Sequence, residues 1–272
     1  MKQAYLHPLD RATLLGRNSD GTVTGRTDPA YAHAVGPFGG ITAATMLKAA
    51  LCHPARLGDP VALTVNYAGP IADGEFRIDA VPVRTNRSTQ HWTINLHQGE
   101  AVSATATAVF AIRRDTWAST EAMRPDVLPA TAFQRQPAAG ASAWIQNYDL
   151  RYVQGDLPDA AKASEEPDSL SIQWIRDDPP RPLDFVSLAS ICDAFFPRTF
   201  LRRRQRVPTG TVSLTIYFHA NAPMLAAQGE RPILGMARAS HFGLGYHDQS
   251  AEIWSDDGAM LATSHQIVYF KE

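Results

Sequence analysis

The sequence holds few of the features that would place a protein at a glance. It has only two cysteines in 272 residues, Cys52 and Cys192, too few for a disulfide framework. Both fall in segments that read as helices, so packed thiols are expected. No run of about 18 apolar residues occurs. The N-terminal MKQAYLHPLD lacks a basic region followed by an apolar core, so a soluble, cytoplasmic protein is the expectation, without signal peptide or membrane span. Neither sign of charge dominates: 25 basic against 27 acidic residues give a net charge of -2, which argues against nucleic acid or an anionic membrane as partner. The nine histidines show no metal-ligand spacing. No G-x-S-x-G elbow is present, which argues against an α/β-hydrolase.

What the chain does contain is an echo of itself. The segments PVALTVNYAGPI (60–71) and GTVSLTIYFHANA (210–222) share a V-x-L-T-V/I core about 150 residues apart, and both alternate with the period of a strand. Downstream, 88–112 parallels 247–270, each reading as strand, glycine-containing turn, strand. A helical segment precedes each set. The first, GGITAATMLKAALC, is opened by glycines and rich in alanine; the second, PLDFVSLASICDAFF, has Pro182 near its start, Asp184 as a cap and an apolar stripe through Phe185, Leu188, Ala189, Cys192 and Phe196. Pro197 is expected to end it.

Each half therefore reads as a helix followed by long antiparallel strands, an α+β unit. The N-terminal unit is placed at 1–114, a Pro/Ala-rich linker at 115–140 with a short helix near Ser119 to Met123, and the C-terminal unit at 141–272. Strands are expected at AWIQNYDLRYV (143–153) and LSIQWIRD (170–177), with a polar loop at 155–168 between them.

One residue fits poorly with its surroundings. Asp193 lies between Cys192 and Ala194, just before two phenylalanines, where a charge costs several kcal/mol, of order 2–7 for even a neutral polar group, unless it is paired. An aspartate near a helix end is ordinarily a structural acceptor, and the alternative is chemistry. In contrast, no Asp or Glu occurs from Ala30 to Gly58, so the first-half helix has no equivalent acid and one site per chain is expected.

A helix wrapped by an antiparallel sheet, duplicated in one chain, resembles the double hotdog fold. The segments GPFGGITAATMLKAA, RVPTGTVSLTIYFHANAP and EIWSDDGAMLATSHQIVYF resemble the acyl-CoA thioesterase II family. That resemblance implies hydrolysis of an acyl-CoA to free acid and CoA, by a water oriented by a carboxylate, a hydroxyl and an amide, with neither metal nor organic cofactor. Carried onto this sequence, these fall on Asp193, Thr211 and Gln266. Such a set can hold a water and take its proton. By period two, Ser213 and Thr215 share the face of Thr211. The N–H groups of the glycine loop 36–40, at Gly39 and Gly40, are candidates for polarising the thioester carbonyl, or else simply permit tight packing. Arg84 and Arg87, and the cluster Arg202 to Arg206, are candidates for the phosphates of CoA. The alternatives are a protein of the same fold that binds an acyl-CoA or acyl chain without turnover, and a hotdog hydroxyacyl-thioester dehydratase, for which no His and carboxylate pairing is visible. The sheet edges of a hotdog unit suggest a homodimer.

Overall fold

Two pairs of equivalent strands meet at the middle of the molecule and fix how the rest is arranged. The computed structural model describes residues 6–137, 142–156 and 164–271. Its strands are β1 (Gly16–Arg17), β2 (Val23–Arg26), β3 (Asp59–Tyr67), β4 (Glu75–Thr85), β5 (Thr89–Gln98), β6 (Ala101–Ala111), β7 (Tyr148–Gln154), β8 (Ser171–Asp177), β9 (Thr209–Phe218), β10 (Ile233–Arg238), β11 (Phe242–Gly243), β12 (Tyr246–Trp254) and β13 (Met260–Phe270). The α-helices are α1 (Pro8–Ala12), α2 (Gly39–Leu51), α3 (Phe185–Ile191), α4 (Arg198–Arg203) and α5 (Ala222–Gln228).

The strands form one continuous sheet in the order β1-β2-β4-β5-β6-β3-β9-β13-β12-β10-β8-β7, with β11 paired to β12. The order is symmetric about the antiparallel β3–β9 seam, each strand of the first half answering one of the second. At the seam Thr64 is the direct partner of Thr215. These are the matching threonines of the repeated V-x-L-T core, and their hydroxyls lie 3.0 Å apart. A pseudo-twofold axis therefore passes through this pair. The repetition read in the sequence is a repetition of structure, and the protein is an α+β double hotdog.

Helix α2 is enclosed by its sheet. Ten of its 13 residues are buried, and its alanines let the strands approach closely. The second-half helix, α3, is only seven residues long. One apolar cluster runs through both halves and includes α2, α3 and the inward residues of the central strands. Outside the sheet, Trp174, Leu234 and Trp254 form a cross-strand row packed against Val127, Ala130 and Phe133 of the connection between halves. The Trp174 indole donates to Leu128 O at 3.0 Å. That connection is thus laid over the outer face of the second sheet. It carries a 3-10 turn at Ala130–Ala132, and the short helix expected near Ser119 to Met123 is not formed.

Two further expectations are corrected here. Residues Ala143–Asn147 form a 3-10 turn, so the strand begins only at Tyr148. Cys52 is exposed at the end of α2, whereas Cys192 is buried. Residues 157–163 of the expected polar loop lie outside the described residues. No helix among the described residues is long and apolar enough to cross a membrane.

Candidate active site

The site begins where α3 stops. Asp184 caps the helix by accepting from the Ser187 N–H at 2.8 Å, as expected. The helix then ends at Ile191, five residues before the expected Phe196, so Asp193 lies in the following turn and not in the helix. Beyond the helix, the backbone carbonyls are taken up by side chains of the sheet and of α4. Ser264 donates to Cys192 O at 3.2 Å, Gln173 to Ala194 O at 2.8 Å, and the buried Arg198 guanidinium to Phe196 O. Arg198 also donates to Ser169 O at 3.1 Å, Ser171 Oγ at 2.7 Å and Ala237 O at 3.2 Å. The Phe195 ring lies against Gly235, where a Cβ would come within 2.7 Å of it. The backbone of the turn is held on both sides of Asp193.

The carboxylate of Asp193 points at the other half of the chain. Helix α2 begins at Gly39 after Phe38, which supplies no side-chain cap. Its Gly40 N–H faces the Asp193 carboxylate and favours the ionised form, without meeting it at full hydrogen-bond geometry. A Cβ on Gly39 would stand 2.7 Å from Asp193 Oδ2, so the close approach requires glycine. The Tyr67 hydroxyl holds Gly39 O at 2.8 Å. Burial pushes the Asp193 carboxyl up to about 7, against the pull of Gln266 and the Gly40 N–H. Burial, followed by the charge of Asp193, raises the Tyr67 phenol well above its ordinary value.

Gln266 and Thr211 complete the cluster. The Thr211 hydroxyl donates to Gln266 Oε1 at 3.3 Å, which turns the amide Nε2 toward Asp193. Nε2 favours the ionised carboxylate, yet it meets no acceptor at full hydrogen-bond geometry. The contact is therefore a loose one, and the amide proton is available to a third group.

The presence of Thr211 here depends on an irregularity. Gln266 pairs with Leu214 and Ile267 with Ser213, but Val268 pairs with Thr211. Val212 is bulged out of register, which reverses the alternation of faces beyond it. Thr211 thus points inward with Leu214 and Val268. Ser213 and Thr215 lie on the opposite face, correcting the expectation that they share its side. His265 is exposed and bonded to Ser250 Oγ at 3.1 Å, facing away from Gln266.

The structure thus brings Asp193, Thr211, Gln266, Gly39 and Gly40 together. The Gly40 N–H, expected to polarise a carbonyl, instead faces Asp193. Arg84 and Arg87 are not brought in. They sit on the exposed β4–β5 hairpin, with Arg84 Nε donating to Asn86 Oδ1 at 3.0 Å. The base of that hairpin meets the far end of α2, where Gln90 bonds to Ala55 O at 2.9 Å and receives Leu57 N–H at 2.9 Å. At about 1.5 Å per residue, α2 separates them from Gly39 by roughly 18 Å. Arg202 to Arg204 form ion pairs, Arg202 with Glu165 at 3.2 Å, Arg203 with Glu165 at 4.0 Å and Arg204 with Glu166 at 3.1 Å. Sequence reading missed Tyr67, Gln173, Arg198 and Ser264. Of these only Ser264 carried a signal, lying two residues before Gln266 and so on its face.

Comparison with known proteins agrees with this architecture. Residues 27–111 match the acyl-CoA thioesterase N-terminal domain and residues 124–270 the acyl-CoA thioesterase C-terminal domain. Among solved structures, a hot dog fold protein of unknown function from Alicyclobacillus acidocaldarius is 49% identical, with a TM-score of 0.94 over 98% of this chain and 99% of that one. An acyl-CoA thioesterase II of Mycobacterium marinum is 17% identical, with a TM-score of 0.77 over 97% and 98% of the two chains. A tesB protein of Mycobacterium avium subspecies paratuberculosis is 16% identical, with a TM-score of 0.80 over 98% and 100%. At these identities the last two speak for the fold alone. Among curated proteins none matches the chain. With both domain families matched in order and most of the chain covered, this protein belongs to the acyl-CoA thioesterase family.

Proposed function

We propose that the protein hydrolyses an acyl-CoA thioester, with Asp193 as general base, Gln266 as the donor that orients the water, and Thr211 as the residue that orients Gln266. The observation that carries this reading is the meeting of Asp193 with the Gly39–Gly40 end of α2, beside an amide whose Nε2 has no full acceptor. A buried donor without an acceptor marks a place where a further group fits. In the reaction, the water oxygen attacks the thioester carbonyl carbon while Asp193 takes its proton. The tetrahedral intermediate collapses with breakage of the C–S bond, and the departing CoA sulfur recovers the proton from Asp193. A base with a pKa of about 7 is suited to both transfers near neutral pH. The same reading divides the chain into an N-terminal unit at 1–114 and a C-terminal unit at 141–272, acting as a homodimer in cytoplasmic fatty acid metabolism.

A second reading is favoured by one observation. Asp193 stands at the uncapped start of α2, where the Gly40 N–H favours its anion, which gives it a structural role that needs no turnover, and the protein then binds an acyl-CoA without cleaving it. The groups that shift Asp193 are burial, Gln266 and Gly40, with no imidazole among them, which gives the dehydratase alternative no support. A free-thiol assay over short, medium, long and aromatic acyl-CoAs tests the choice. Thiol release that disappears in Asp193→Asn supports hydrolysis; saturable binding with no release above background supports the binding protein.

A further inference from the structure

On the second half, α4 and the β11–β12 hairpin enclose an open groove of about 1350 Å³, counted out to solvent. Its walls combine two chemistries. Arg202, Arg203 and His241 bring basic groups, and Phe242, Leu244 and Phe270 bring apolar surface. Glu165 is the acid among its lining residues, and it is half of exposed ion pairs with Arg202 and Arg203. Such pairs contribute little in water, about 0–1 kcal/mol, so an anion with better geometry can replace the carboxylate.

The hairpin wall is held in a defined shape. Asp248 accepts from the Ser240 N–H at 2.9 Å and the His241 N–H at 2.7 Å. At its tip Leu244 adopts φ 53°, a left-handed conformation unusual for a residue with a branched side chain, and its side chain is fully exposed. Leu244 and Gly245, both at positive φ, are the two residues of the tight turn between Gly243 and Tyr246, and the turn presents the leucine beside two aromatic rings and a basic wall. The groove also has a fixed relation to the candidate active site. Phe270 lies four residues beyond Gln266 on β13, roughly 13 Å at about 3.3 Å per residue.

We infer that this groove holds the adenosine 3′,5′-bisphosphate end of coenzyme A, the phosphates on Arg202, Arg203 and His241 and the adenine against Phe242, Leu244 and Phe270. The inference rests on the acyl-CoA reading above. An extended pantetheine arm spans the distance from the groove to Asp193, which places the thioester at the carboxylate and the nucleotide on α4.

Calorimetric titration with adenosine 3′,5′-bisphosphate, AMP and inorganic phosphate tests this without any turnover. The bisphosphate is expected to bind tightest, at least tenfold more weakly in the Arg202→Ala/Arg203→Ala double variant, and more tightly in Glu165→Gln, where the competing carboxylate is neutralised. The gain in Glu165→Gln is a result that misfolding does not imitate. In kinetics, the advantage of acyl-CoA over the corresponding acyl-pantetheine should shrink about tenfold in the double variant. Equal binding in wild type and double variant, no gain in Glu165→Gln, or inorganic phosphate binding as well as the bisphosphate would overturn the inference. Arginine-dependent nucleotide binding without thioester cleavage would retain the groove and remove the hydrolase reading. Cleavage that ignores the nucleotide end would do the reverse.

Discussion

Asp193 answers two opposed demands. Gln266 and the Gly40 N–H favour it as an anion, and as a group shut away from water it is favoured as an acid; burial is the larger effect and leaves it near 7. Two outcomes follow from the direction of that shift. Activity should rise as pH increases through about 7, because only the ionised form takes a proton from water. Stability should move the other way. A carboxyl whose pKa rises from 3.8 to about 7 on folding binds its proton more tightly in the native state, so its contribution is complete below 3.8 and is lost as pH climbs toward 7. Asp193→Asn keeps an oxygen for the Gly40 N–H and removes the ionisation. It should lower kcat by about 10²–10⁴-fold, the usual worth of a positioned base, and should melt higher than the wild type at about pH 8, the gap closing near pH 4. A variant that melts lower at alkaline pH, with kcat retained, would contradict both. Thr211 acts one step back. Thr211→Val leaves Gln266 Oε1 without its donor and should cost about 0.5–1.5 kcal/mol, a two- to tenfold loss in kcat, while Thr211→Ser restores it.

Among the elements, the start of α2 is where glycine is required, and its two glycines are required for different reasons. A methyl group at position 39 meets the side-chain oxygen of Asp193 at 2.7 Å, whereas one at position 40 meets the backbone oxygen of Ser190 at 2.5 Å and the Phe38 ring. A side chain can swing away and a helix backbone cannot. Gly39→Ala should therefore fold nearly normally and lose activity as the carboxylate is displaced, and Gly40→Ala should destabilise by about 1–3 kcal/mol through overpacking of α2 on α3. Thermal melting together with thiol release on both variants separates the two. The helices and central strands were legible because their patterns are local: alanine and glycine in α2, the Asp184 cap, the alternation in β3 and β9. The end of α3 was not, since the carbonyls beyond it are held by Ser264 and Gln173, reaching in from strands far away in sequence, and by Arg198 of α4. Nor was the α4 helix, which reads as a charge cluster. The bulge at Val212 was equally hidden; period two alone places Thr211 with Ser213, and only the pairing with β13 shows otherwise.

At the scale of the whole molecule the duplication explains why a symmetric scaffold carries an asymmetric site. The bulge itself is duplicated, since Ala62 and Pro60 are successive partners of Val109 and Phe110 across the skipped Val61, just as Ser213 and Thr211 partner Ile267 and Val268 across Val212. By this register the counterpart of Thr211 is Pro60, and that of Gln266 is Ala108, which pairs with Leu63 as Gln266 pairs with Leu214. Neither can donate or accept as its partner does, and the 30–58 segment offers no carboxylate. The first half has instead kept the helix start, whose Gly39 and Gly40 the acid of the second half approaches. Each half is thus incomplete, and the two together make one site. A thioether analogue of an acyl-CoA, which cannot be cleaved, should bind with a stoichiometry of one per chain in calorimetric titration. Asp193→Asn should remove all turnover instead of half of it. Two equivalents bound, or half the activity retained, would mean that the first half houses a working site of its own, and the division of labour between the halves would have to be abandoned.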